Sequence, residues 1–173
     1  MLQSHRSEGL IAARPTGAGA LGEDFAAWVG PHLAVLAAVA VREVGAADAD
    51  DVVQEALTRA WRRRSTFRAE RGSVRGWLVT ILMNQARRHR LRRPWSPRLD
   101  RDRPLLLSGP DARLDVEQAV QALPRRQREV VTLHYLADLP LVEVAAVLGI
   151  SIGSVKSHLF DARAALRTTL EKP

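Results

Sequence analysis

Apolar residues recur at helical spacing over most of the chain. Val52, Val53, Ala56, Leu57 and Trp61 fall on one stripe, with Asp51, Gln54 and Glu55 on the opposite side. Leu33, Leu36 and Ala40 share a face of a preceding helix predicted over 23–44, which Gly45 ends. Asp48 or Asp50 is placed to cap the helix that follows. An irregular loop at 66–75, around Gly72, leads to a helix from about 76 to 92. There Trp77, Leu78, Ile81 and Leu82 give way to the run ARRHRLRR. Trp61, Trp77, Phe67 and Tyr135 read as core residues, whereas Trp95 lies past the Arg run and is freer. No alternating pattern predicts a strand, and no repeat of fixed period is present.

A second helical stretch starts with Asp111 as cap, followed by Leu114, Val116, Ala119, Val120 and Leu123. Pro124 suits a helix first turn, and a helix over 127–136 follows. Between the two stretches, 94–110 carries four prolines. Proline removes a backbone donor and disfavours helix in the residue before it, so this segment is a linker. Residues 1–21 are rich in Gly, Ala and Ser and read as a flexible tail. The expected architecture is all-α, with two small helical domains at 22–93 and 111–172 on a Pro-rich tether.

The end of the chain has helix-turn-helix grammar. Leu141, Val144, Ala145 and Leu148 make a short amphipathic helix, and Gly149 supplies the tight turn. Ile150 is expected buried in that turn, and Ser151 caps the next helix. Val155, Leu159, Ala162 and Leu166 form its inner face. This leaves Ser151, Gly153, Ser154, Lys156, Ser157 and His158 exposed at its start, where a recognition helix meets base edges and phosphates.

Charge sharpens this picture. Of 173 residues, 26 are Lys or Arg and 19 are Asp or Glu. From Arg59 to Arg103 there are 15 Arg against three acids, a net +12, while the remainder is net −5. A basic segment in an otherwise acidic chain is the footprint of a polyanion-binding surface. With 24 Arg to two Lys, and many Ala, the choice of Arg also fits a GC-rich genome and is not read as phosphate recognition. The chain has no Cys, which excludes disulfides and thiolate-bound metals. Its longest unbroken apolar run, 33–41, is nine residues, short of the ~20 a membrane span needs. The N-terminus lacks the pattern of a signal peptide.

In their order these features resemble the extracytoplasmic-function (ECF) sigma factors, promoter-specificity subunits of bacterial RNA polymerase. DADDVVQEALTRAW (48–61) is similar to the family's region two signature. FRAERGSVRGWLVTILMNQARRHRLRR (67–93) resembles the segment that melts and reads the −10 element. LPRRQREVVTLHYLADLPLVEVAAVLGISIGSVKSHLFDARAAL (123–166) resembles region four, whose helix-turn-helix reads the −35 element. The resemblance implies that Asp51, Gln54 and Glu55 face the polymerase clamp helices, and that the second module meets the flap. It implies that the loop 69–74 captures a flipped-out base, with Arg71, Ser73 and backbone amides as donors, and that Arg75 also contacts the −10 DNA. Unstacking that base costs a few kcal/mol, which contacts must offset. Asn84 would read a base edge, and Arg87, Arg88, Arg90, Arg92 and Arg93 would hold phosphates, setting affinity and salt dependence. Ser151, Ser154, Lys156, Ser157 and His158 would contact the −35 duplex. Asp100 and Asp102 in the linker would thread toward the RNA exit path.

The implied partners are core RNA polymerase, promoter DNA and an anti-sigma factor, in the cytoplasm at the nucleoid, without membrane insertion. Three features depart from the family's usual look. The first helix has few charges, Val74 stands where an aromatic is common, and His158 where Arg is frequent. No catalytic group, cofactor or metal is expected, since phosphate-binding Gly loops are lacking and the five His lie far apart. Two rivals stay open on sequence. One is a stand-alone dimeric repressor, which would leave the first module's motifs without purpose. The other is a helical adaptor sequestered by a regulator.

Overall fold

A computed structural model describes residues 25–92 and 111–171. The expected tail (1–21) and linker (94–110), with Trp95, lie outside the described residues, as do the side chains of 111–115 and thus the cap assigned to Asp111. Among the described residues every regular element is a helix, and the helices form two lobes. The first holds α1 (Phe25–Val29), α2 (Leu33–Val44), α3 (Ala46–Arg63) and α4 (Val74–Arg92). The second holds α5 (Asp111–Ala122), α6 (Arg125–Val131), α7 (Leu141–Leu148) and α8 (Ile152–Leu170).

The single helix expected over 23–44 is divided. Pro31 sits in a 3-10 turn, Gly30–His32, because proline cannot donate into the preceding turn. The stretch Phe25–Val44 is long and apolar enough by composition to cross a membrane, which the count of unbroken apolar residues missed. In the fold it is broken at that turn, and Leu36, Val39, Ala40 and Val44 enter the core. Leu33, expected on the same face, is exposed. Gly45 ends α2 with φ 87°, a conformation that costs other residues strain. It also starts α3, so Asp48 is no cap. Asp48 lies in the first turn, with its Oδ2 3.4 Å from His89 Nε2.

An aromatic group closes one end of the first lobe. The Trp28 ring lies 5.4 Å from both Phe67 and Trp77, in tilted and edge-on arrangements that suit ring quadrupoles. Trp61 is at its margin. It touches Phe25 at 5.3 Å but is 41% exposed, and Arg64 covers its other face at 3.9 Å. It is a rim residue rather than core. α4 starts at Val74, two residues earlier than its apolar pattern suggested.

In the second lobe Pro124 is the N-cap of α6, one residue before the helix. α6 runs into a π-helical turn, Thr132–Leu136, closed by Ala137 N–H donating to Thr132 O at 3.0 Å. The wider turn rotates the side chains out of the α-helical register. Tyr135, expected in the core, is 54% exposed, and its hydroxyl accepts from Arg163 Nε at 2.8 Å. Leu133 and Leu139 remain buried.

The lobes pack on each other. α4 meets α7, and α2 meets the π-helical turn, so the buried side chains of both lobes join in one apolar cluster.

Candidate nucleic-acid interface

Two helix starts dominate the polar surface. The first belongs to α8. Gly149 adopts the left-handed conformation, φ 65° and ψ 38°, and turns the chain between α7 and α8. Ile150 in this turn is half-buried rather than buried. Ser151 caps α8, its Oγ accepting from Ser154 N–H at 3.0 Å, a contact worth about 1 kcal/mol. Val155, Leu159 and Ala162 are buried, and Leu166 packs against their cluster. Ser151, Gly153, Lys156 and Ser157 are exposed, Ser154 and His158 half-exposed. Small polar groups at the positive end of a helix dipole form a surface open to an anionic duplex.

The second start belongs to α4. Ser73 Oγ accepts from Gly76 N–H at 2.9 Å, the same capping contact. The short segment before it contains a 3-10 turn, Ala69–Arg71, that ends at Gly72. Arg71 and Ser73 are exposed and Arg75 half-buried. Farther along α4, Asn84, Arg87, Arg88 and Arg92 are exposed. Arg90 turns inward: it pairs with the buried Glu43 and donates to the Glu43 carbonyl at 3.2 Å. Asp51, Gln54 and Glu55 are exposed together on α3, and Val52 and Ala56 of the same helix are buried.

Behind the 69–74 segment lies a cavity of about 370 Å³. Phe67, Arg71, Trp77 and Thr80 line it from the first lobe, Ala146 and Val147 from the second. The Glu143 carboxylate also reaches it from α7 and touches Ser73. Neither Glu143 nor Asp138, which meets Arg75 at 3.2 Å, stood out in the sequence. Their partners are more than 60 residues away, and only an acid left on the polar side of a DNA-reading module could have hinted at them. His32, between the lobes, has its pKa lowered by burial and then by the Arg75 charge. Among the described residues no cluster of acids and His could hold a metal ion.

Comparison with known proteins assigns both lobes. Residues 28–96 match Sigma-70 region 2, and residues 113–166 match Sigma-70, region 4. The ECF RNA polymerase sigma factor SigL of Mycobacterium tuberculosis is 35% identical over 151 residues, covering 82% of this chain and 85% of SigL. The ECF RNA polymerase sigma-E factor of Escherichia coli is 30% identical, covering 76% of this chain and 78% of the relative. Among solved structures, RpoE of Bartonella quintana in complex with the anti-sigma factor NepR superimposes with a TM-score of 0.71. It is 26% identical, over 87% of this chain and 98% of RpoE. CnrH in complex with the cytosolic domain of CnrY gives a TM-score of 0.65 at 31% identity, over 89% of this chain and 92% of CnrH. The all-α lobes, the open helix-turn-helix and these relatives agree: the chain belongs to the ECF RNA polymerase sigma factors.

Proposed function

We propose that this sigma factor meets core RNA polymerase through Asp51, Gln54 and Glu55, and touches the −35 duplex with Ser151, Ser154, Lys156, Ser157 and His158. In the same reading Arg71, Ser73, Arg75, Asn84, Arg87, Arg88 and Arg92 open and read the −10 strand. Residues 22–93 then act as one domain and 111–172 as the other, with 94–110 spanning the promoter spacer and 1–21 preceding both. As an ECF sigma factor the protein directs promoter-specific transcription initiation. The nucleotide chemistry belongs to the polymerase, and the chain works in the cytoplasm at the nucleoid.

The observation that supports the residue assignment most is the exposed, Ser151-capped start of α8, standing apart from the exposed acids and amide of α3. Two surfaces on separate lobes suit two partners. The cavity beside Phe67 and Trp77 offers rings and an Arg to a flipped base. Arg87, Arg88 and Arg92 would add affinity that falls with salt. An anti-sigma factor is a further partner of this reading, since the solved relative RpoE is bound to one.

Run-off transcription from a promoter library, with core polymerase and with or without this chain, tests the reading. Start-site selection that depends on the chain is the expected result, and its absence overturns the assignment. Gln54→Ala with Glu55→Ala should weaken core binding about tenfold or more with the fold intact. Unchanged core affinity would refute the α3 assignment. Lys156→Ala should weaken −35 binding evenly across sequences, with a salt slope shallower by about one.

A further inference from the structure

Lysine is rare in this chain. Of the 26 basic residues 24 are Arg, and of the two Lys, Lys156 is the one among the described residues. It stands at the fifth position of α8 and is exposed, beside Ser157 on the surface read above as the −35 contact. Nothing in the fold holds its charge. Arg42 pairs with Glu117 and Arg75 with Asp138 across the lobes, and Arg125 and Arg126 pair with Glu129 within α6. Among the described residues no carboxylate pairs with Lys156. Its place near the positive end of the α8 dipole also disfavours a cation. The charge therefore serves an anionic partner rather than the fold.

The neighbours of Lys156 along its helix face are apolar. Ile152 and Phe160 lie one turn to either side, 43% and 74% exposed. An ammonium gains nothing from such groups, whereas a neutral amide that ends in a methyl packs on them. Lysine also offers chemistry that arginine does not: a guanidinium stays charged, while an amine that has lost its proton is a nucleophile. On an acyl phosphate the Nζ atom attacks the carbonyl carbon. The N–C bond forms, the C–O bond to phosphate breaks, phosphate leaves with the electron pair, and the nitrogen's proton goes to water. The product is an uncharged amide. We propose that Lys156 is an acylation site, taking an acetyl group from an acyl phosphate, and that the modification releases the grip of α8 on duplex DNA. The inference rests on the reading of α8 given above. Asp51, Gln54 and Glu55 are on the other lobe, so the acetylated chain keeps its hold on core polymerase.

The test uses the full chain, with acetyl phosphate as the donor. Once the donor is removed, peptide mass spectrometry reads acetyl at Lys156 and Lys172, and the chain is assembled with core polymerase. Anisotropy of a labelled promoter duplex, taken from the run-off library, reads DNA binding. Acetylation at Lys156 should weaken that binding about tenfold, the scale of one charge-assisted contact, and make the salt slope shallower by about one. Lys156→Gln, an uncharged amide without treatment, should match the treated wild type. Lys156→Arg should bind as the untreated wild type does and keep its affinity through treatment, which sets aside any effect of Lys172. Duplex bound beforehand should slow acetylation of Lys156. Acetylation of Lys172 with Lys156 untouched overturns the proposal, and so does acetylation of Lys156 with unchanged duplex affinity. Lys156→Ala separates the two readings. Wild-type duplex affinity in that variant refutes the −35 assignment beneath the proposal. Lowered affinity there, with no acetyl on Lys156 in the wild type, refutes the acylation site alone.

Discussion

α4 and α8 are built alike and placed differently. Each has 19 residues, and each is opened by a serine whose Oγ accepts the N–H three residues on, at 2.9 Å for Ser73 and 3.0 Å for Ser151. At α8 the capped end faces solvent, and the second contact of Ser151 stays local, to Ser154 Oγ at 2.9 Å. At α4 the same kind of end faces the other lobe and carries its Glu143 carboxylate. The lesson is that a capped helix start is attractive to any anion, so what the chain leaves open or covers decides when that attraction is used. One capped start is open to solvent, and the other is occupied by a carboxylate of the same chain.

The largest expected effect probes whether the lobes are energetically joined. Leu133 is fully buried in the second lobe and part of the common apolar cluster, so Leu133→Ala should cost about 2–5 kcal/mol in urea unfolding. Trp28, Trp61 and Trp77 are in the first lobe and the fourth, Trp95, follows it, so in a Trp95→Phe background the fluorescence reads that lobe alone. A joined cluster shifts the fluorescence transition along with the circular dichroism, whereas an unmoved fluorescence transition would make the lobes independent. Next, Ser151→Ala should cost about 1 kcal/mol as a lost cap. Ser73→Ala should cost that and a further ~0.5–1.5 kcal/mol for the bond to Glu143. Equal losses would mean that the covered helix start gains nothing from its cover. The smallest effect concerns His32. Its folded-state pKa is lowered, so the unfolded chain takes up the proton first as pH falls through about 6.5. Its contribution is complete above that value and is lost below it. Unfolding midpoints at pH 7.5 and 5.5 should differ more in the wild type than in His32→Gln.

Local chemistry was legible in the sequence, and contact across the seam was not. Gly149 followed by Ile150 and Ser151 announced the turn and the cap of α8, because φ and capping depend on a few adjacent residues. The opposite sides of α3 were legible for the same reason, since helical spacing sorts Val52 and Ala56 from Gln54 and Glu55. Tyr135 was misread because a π-helical turn breaks the spacing on which the reading relied. Pro31 divides the first helix although the apolar pattern runs through it. Glu143, Asp138 and Glu117 are polar positions that any solvated face would show. Their partners are set by how two lobes meet, and no local pattern encodes that.

The elbow at Gly149 has a mechanical consequence. α7 and α8 meet at 103°, with Val144, Leu148, Val155 and Leu159 buried about the corner. Glu143 rides on one arm, and Lys156 and Ser157 ride on the other. Side chains locked in one packed corner travel as a lever, so a force that swings α8 also moves α7, the arm that packs on α4 and bonds Ser73 through Glu143.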